Sequence, residues 1–85
     1  MEIVFSTDAL EQLQYWKKSG NKKVVEKIKQ LIEEILQTPF EGTGKPEPLK
    51  HNWNGYWSRR ITGEHRLVYK VENDTLYIVQ LRYHY

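Results

Sequence analysis

No cysteine occurs in the 85 residues, and methionine occurs once. A disulfide framework and a thiolate nucleophile are thereby excluded, and the histidines stand too far apart in sequence for any familiar metal-ligand spacing. This points to chemistry without metal or cofactor in a reducing, cytoplasmic compartment. Long apolar runs are missing too: nothing approaches the roughly 20 residues of a membrane helix, and MEIVFSTDAL lacks the basic and apolar regions of a signal peptide. Secretion and membrane insertion are disfavoured. Surface scaling for a chain this short leaves about 5,400 Å² exposed and room for one modest core, so residues 1–85 read as a single domain.

Net charge is only +2, but the charge types are unevenly spread. Residues 1–42 carry 6 basic and 7 acidic groups, and residues 43–85 carry 7 and 4. All the arginines (59, 60, 66, 82) and all the histidines (51, 65, 84) fall in the second half. Arginine presents a planar fork that fits phosphate oxygens, whereas a lysine on a helix usually marks a solvated face. Function is therefore sought in the second half.

Glu2 to Phe5 is a short β-prone run, and Ser6 and Asp8, with Glu11 three residues beyond Asp8, are helix-start signals. Ala9, Leu10, Leu13 and Trp16 share a helical stripe, ended at Ser19-Gly20-Asn21 by a C′ glycine and a new N-cap. In the next helix Val24, Val25, Ile28, Leu31, Ile32, Ile35 and Leu36 recur at spacings of three and four. Thr38-Pro39 stops it, since proline disfavours helical geometry in the preceding residue. PFEGTGKPEP, residues 39–48, rejects regular structure with three prolines and two glycines. β-prone segments follow at 49–51, 56–61, 65–71 and 75–83, joined by short turns that imply antiparallel neighbours. The expected architecture is α+β: a strand, two helices, then three or four strands, with the helices on one sheet face.

Alternate strand residues point to opposite faces. The odd-numbered set Trp57, Ile61, Leu67, Tyr69, Val71, Tyr77, Val79 and Leu81 is apolar and is expected to face the helices. The even-numbered set Ser58, Arg60, Arg66, Val68, Lys70, Ile78, Gln80, Arg82 and His84 gathers cations on the other face. Arg59 and His65 break the odd pattern and are read as structural residues at strand ends.

A cationic sheet face beside a loop carrying Lys45, Glu47 and Lys50 has what RNA cleavage requires. A base removes the 2′-hydroxyl proton, an acid protonates the departing 5′-oxygen, and cations stabilise the pentacoordinate phosphorus. The RNA supplies its own nucleophile. Blander readings stand beside this one. Glu47 between two prolines also suits a solvated loop carboxylate, and His84 a loosely held chain end. The arginines could pair with Glu64, Glu72 and Asp74, and Trp53, Tyr56 and Trp57 could stack on bases or simply pack. The residues alone leave open an endonuclease, a non-catalytic RNA-binding module and a protein-interaction module.

The stretch TPFEGTGKPEPLKHNWNGYWSRRITGEHRLVYKV, from Thr38 to Val71, with the ending LRYHY, resembles the YoeB-type toxins of the bacterial RelE superfamily. The resemblance spans essentially the whole chain and implies a RelE-like fold. It also implies an mRNA endonuclease that cuts in the ribosomal A site, is neutralised by a cognate YefM-like antitoxin, and is compatible with a homodimer. Matched by position, Glu47 in KPEP takes the role of general base, His84 in YHY that of general acid, and Arg66 in EHRLVY that of phosphate stabiliser. Lys50 and Arg60 match residues that bind or orient RNA phosphates, and Tyr85 one that shapes the site. Arg82 joins the substrate-binding set from its place on the cationic face.

Overall fold

Ser6 caps the first helix by accepting the Ala9 N–H, and Asn21 caps the second by accepting that of Val24. The two helices the sequence predicts thus begin where their capping side chains stand. In the computed structural model, which describes residues 1–84, the elements run β1 (Glu2–Phe5), α1 (Thr7–Lys18), α2 (Lys22–Gln37), β2 (Glu47–Pro48), a 3-10 turn (His51–Trp53), β3 (Trp57–Arg60), β4 (Arg66–Glu72) and β5 (Thr75–Gln80). The strands form one five-stranded sheet in the order β1-β5-β4-β3-β2, with β1 parallel to β5 and the other pairs antiparallel. The strand expected at 49–51 does not form: the pairing strand is instead Glu47–Pro48, at the end of the stretch expected to be irregular, and the chain then turns into the 3-10 helix at His51–Trp53.

Both helices lie on one face of the sheet. Ala9, Trp16, Val24, Ile28, Leu31 and Ile35 meet Leu67, Tyr69, Leu76, Ile78 and Leu81 in a single core. Leu10, expected on the buried stripe of α1, is 48% exposed, because Ala9, Leu13 and Trp16 already fill that contact. The exposed surface, 5478 Å², agrees with the area expected for one such core. Among the described residues no helix is long and apolar enough to cross a membrane.

The alternation along β3 and β4 is as expected, but that along β5 is not. Asn73 and Asp74 both adopt left-handed backbone, with φ of 53° and 57°. They close a two-residue hairpin in which Glu72 faces Thr75. That turn pairs odd positions of β4 with even positions of β5, so Tyr69 faces Ile78, Val71 faces Leu76 and Lys70 faces Tyr77. Leu76 and Ile78 therefore enter the core, and Tyr77 turns to the far face with Lys70. A register shift follows, for Val68 pairs with Gln80. This leaves Val79 as an extra residue and flips the phase again, returning Gln80 to the far face and Leu81 to the core.

Candidate active site

Strand register places Glu47, the sequence's candidate base. Glu47 pairs with Ser58, Ser58 with Val68, and Val68 with Gln80, so these four form one row across the face turned away from the helices. The next row of that face holds Arg60 directly opposite Arg66. Directly opposed residues hold their Cβ atoms about 5 Å apart, and like charges in that arrangement repel. Only β3 lies between β2 and β4, so Glu47 and Arg66 stand two strand spacings apart, about 10 Å across the sheet, on neighbouring rows of the same face.

Arg66 is only 7% exposed and its Nη1 donates to the carbonyls of Thr62, Gly63 and His65, 3.1 to 3.4 Å away. The turn before β4 thus aims this guanidinium, while its partner Arg60 is exposed. Lys50 is exposed as well, on the chain leading from β2 into the 3-10 turn. His84 arrives from the other direction. The backbone N–H of Arg66 donates to the Tyr83 carbonyl at 3.0 Å, which seats His84 immediately beyond a residue bonded to Arg66. Gly63, Glu64, His65, Tyr83 and His84 line an open cleft of 550 Å³ there. Tyr85 lies outside the described residues.

Arg82 departs from the expected grouping. Its guanidinium carbon lies 3.5 Å from the centre of the Tyr15 ring on α1 and 4.6 Å from that of Tyr83. The phase change at Val79 and the departure of the chain from the sheet after Gln80 carry it to α1, away from the row of Arg60 and Arg66. Lys70 does occupy the cationic face, its ammonium 5.2 Å and 5.4 Å from the ring centres of Tyr56 and Tyr77. Trp57 packs on the helix side against Phe40, so it is not available to stack on a base, whereas Tyr56 remains on the far face against Trp53 and Lys70.

Two residues read as strand-end fillers do more than that. Arg59, wholly buried, points under the sheet toward α2 and donates to Tyr69 Oη, Glu34 Oε1 and the carbonyls of Thr43, Thr38 and Glu41 at 2.7 to 3.5 Å. The loop between α2 and β2, and with it the approach to Glu47, is wrapped around this one side chain. The Thr43 N–H beside Glu34 holds its carboxyl below the usual range, with the Arg59 charge adding to the effect. Burial raises the Tyr69 phenol above its ordinary range, opposed by the bond from Arg59, and the hydroxyl donates to the Pro39 carbonyl at 2.6 Å. Gly44 is required in this loop: at φ +87°, a Cβ would meet Arg59 Cβ and the Arg60 carbonyl at 3.1 Å each. An arginine at an odd position of β3 in an otherwise apolar set was the available signal for this network. His65 accepts the Tyr83 N–H at Nδ1, 2.8 Å away.

The model of the YoeB-like toxin of bacterial type II toxin-antitoxin systems matches residues 5–85. The chain belongs to this family. It is 53% identical to the toxin YoeB of Escherichia coli K12 over 85 residues, all of both chains. Among solved structures, a YoeB/ParE toxin from Agrobacterium tumefaciens superposes with a TM-score of 0.96 at 45% identity, covering the whole of both chains. From Staphylococcus aureus, a heterotetrameric YoeB-YefM toxin-antitoxin complex superposes at 0.90 and a YoeB dimer at 0.91, each at 45% identity, over all of this chain and 98% of theirs. The YoeB-like fold therefore covers this chain.

Proposed function

We propose that this chain is an endoribonuclease that cuts mRNA in the ribosomal A site by acid-base chemistry without a metal. Glu47 takes the proton of the 2′-hydroxyl. The 2′-oxygen attacks the adjacent phosphorus, the bond from phosphorus to the 5′-oxygen breaks, and His84 donates a proton to that oxygen. The products are a 2′,3′-cyclic phosphate and a 5′-hydroxyl end. Arg66, with Arg60 opposite, binds the non-bridging oxygens as their negative charge grows. Lys50 orients the neighbouring phosphates. Arg82, bound up with Tyr15, has no part in this reading.

The observation that carries the reading is the opposed pair Arg60 and Arg66 on the face shared with Glu47. Like charges at paired register positions are relieved by a bound anion, and a carboxylate one row away supplies the base that a bare anion site does not need. Acting on ribosomes, the protein works in the cytoplasm. An antitoxin related to YefM neutralises it by laying an acidic segment, folded on binding, across this same face. A complex that leaves the arginine row open would refute that mode of inhibition. Self-association of the chain, as in the S. aureus dimer, is compatible with the same reading.

The test is incubation with ribosomes stalled on a defined message, with and without EDTA, followed by chemical mapping of the new ends. Cuts that resist the chelator and leave the two ends named above are expected. Intact message from folded protein would overturn the proposal in favour of an RNA-binding or protein-interaction module, and cutting lost in EDTA would replace its chemistry with that of a metal.

A further inference from the structure

We propose that His65 is a positioning residue for this reaction: its Nδ1 holds the Tyr83 backbone and so sets His84 beside Arg66. The inference rests on the endonuclease reading above.

After Gln80 the chain leaves the sheet ladder, and residues 81–83 are held by contacts from α1, from the turn before β4 and from the strand-end residues Arg66 and Gln80. Leu81 N–H donates to Gln12 Oε1 at 2.7 Å, and the Trp16 indole N–H donates to the Leu81 carbonyl at 2.8 Å. Tyr83 is then gripped on both sides, its N–H by His65 Nδ1 at 2.8 Å and its carbonyl by the Arg66 N–H at 3.0 Å and Gln80 Nε2 at 3.2 Å. Tyr83 sits at φ +70°, a left-handed conformation that a bulky residue rarely adopts unless its surroundings enforce it. The two grips on its peptide groups are that enforcement.

The bond from Tyr83 also defines the state of the imidazole. A backbone N–H only donates, so the facing ring nitrogen must be the unprotonated one, which assigns the proton to Nε2. The ring is in turn oriented by Trp16, edge to face at 4.9 Å between centres, and Trp16 is itself 6% exposed and tied to Leu81. A chain of fixed groups thus runs from the core, through Trp16 and His65, to the residue preceding His84. Among the described site residues the acid lies farthest along the chain from a helix or strand, and these contacts are what give it an address.

Two substitutions separate positioning from packing. His65→Phe keeps a ring against Trp16 and removes the acceptor, whereas His65→Asn discards most of the ring and keeps an acceptor near the place of Nδ1. Positioning predicts that His65→Phe lowers kcat on stalled ribosomes by about 10- to 100-fold, with KM changed by less than about 3-fold, as for a reacting group displaced by about 1 Å. His65→Asn should recover most of the lost rate. An active Phe variant, or an Asn variant no better than Phe, overturns the inference. Hydrogen exchange of the Tyr83 amide gives a readout independent of cleavage: it should quicken at least about 10-fold in His65→Phe and stay slow in His65→Asn, since loss of a hydrogen-bond partner opens the amide to solvent. Should His65→Phe not fold, slow exchange in His65→Asn against fast exchange in His65→Ala carries the same decision. Wild-type protein that leaves the message intact refutes the endonuclease reading, while the exchange rates still decide whether His65 holds Tyr83.

Discussion

Glu47, Arg66 and His84 are placed by three different routes. Glu47 is placed by a two-residue strand against β3, Arg66 by the turn carbonyls that accept its Nη1, and His84 by the bonds to Tyr83. In the proposed reaction the base and acid move protons while the arginines meet phosphate charge, so substitutions should divide the two roles. Glu47→Gln or His84→Gln is expected to slow cleavage by about 10² to 10⁴ while binding to stalled ribosomes stays within a few-fold of wild type. Single-turnover cleavage beside a binding assay checks this, and a parallel loss of both would argue that these residues only bind. KPEP and YHY were legible as motifs through resemblance. Their placement was not, since Glu47 is set by pairing with β3 and His84 by the bonds that hold Tyr83, both of which exist only once the sheet and the segment after it are assembled.

The loop from Thr38 to Gly44 is the element most dependent on a single side chain. Arg59 spends its donors on that loop, on Glu34 and on Tyr69, all from a position with no exposure. Arg59→Met keeps the volume but strands the carbonyls and Glu34, and it should cost about 3 kcal/mol or more. For a domain of this size that is a fall in Tm of about 12 °C or more, measurable by thermal unfolding. Activity should fall with it, because Glu47 begins the strand that this loop delivers. The Glu34 carboxyl, held below its ordinary 4.5 chiefly by the Thr43 N–H, adds a pH signature. A lowered carboxyl favours the folded state above its unfolded value, and that advantage is lost as pH falls through the folded value. Melting temperature measured downward from pH 6 should therefore drop below about pH 4.5, and less steeply in Glu34→Gln. The loop's irregularity was evident from its prolines and glycines, but the buried arginine that organises it was not. An arginine inside an apolar face is costly unless fully paired, and its partners are mostly backbone carbonyls, which no residue type reveals.

For the molecule as a whole, size limits how substrate is chosen. A chain this small has little room for a substrate groove. Contacts to only about three to five phosphates would give a salt slope of roughly −2 to −4 on single-stranded RNA, and thus weak binding to naked message. The ribosome would supply the orientation that the protein lacks. Stalled ribosomal complexes should accordingly be cut much faster than the same RNA alone, and equal turnover on both would count against an A-site enzyme.

The sequence by itself determined the α+β class, both helices with their caps, the hydrophobic stripe of α2, and the alternation of β3 and β4. Each of these depends on neighbours within a few residues, where periodicity and capping chemistry act directly. Tertiary structure alone decided the parallel pairing of β1 with β5, the phase flips of β5, the departure of Arg82 to Tyr15 and the capture of Tyr83 by His65. The turn at Asn73-Asp74 was legible, but its consequence, Leu76 and Ile78 turned inward, was not. The extra residue at Val79 had no such local sign, because a bulge is chosen by how two strands and the core beneath them fit together.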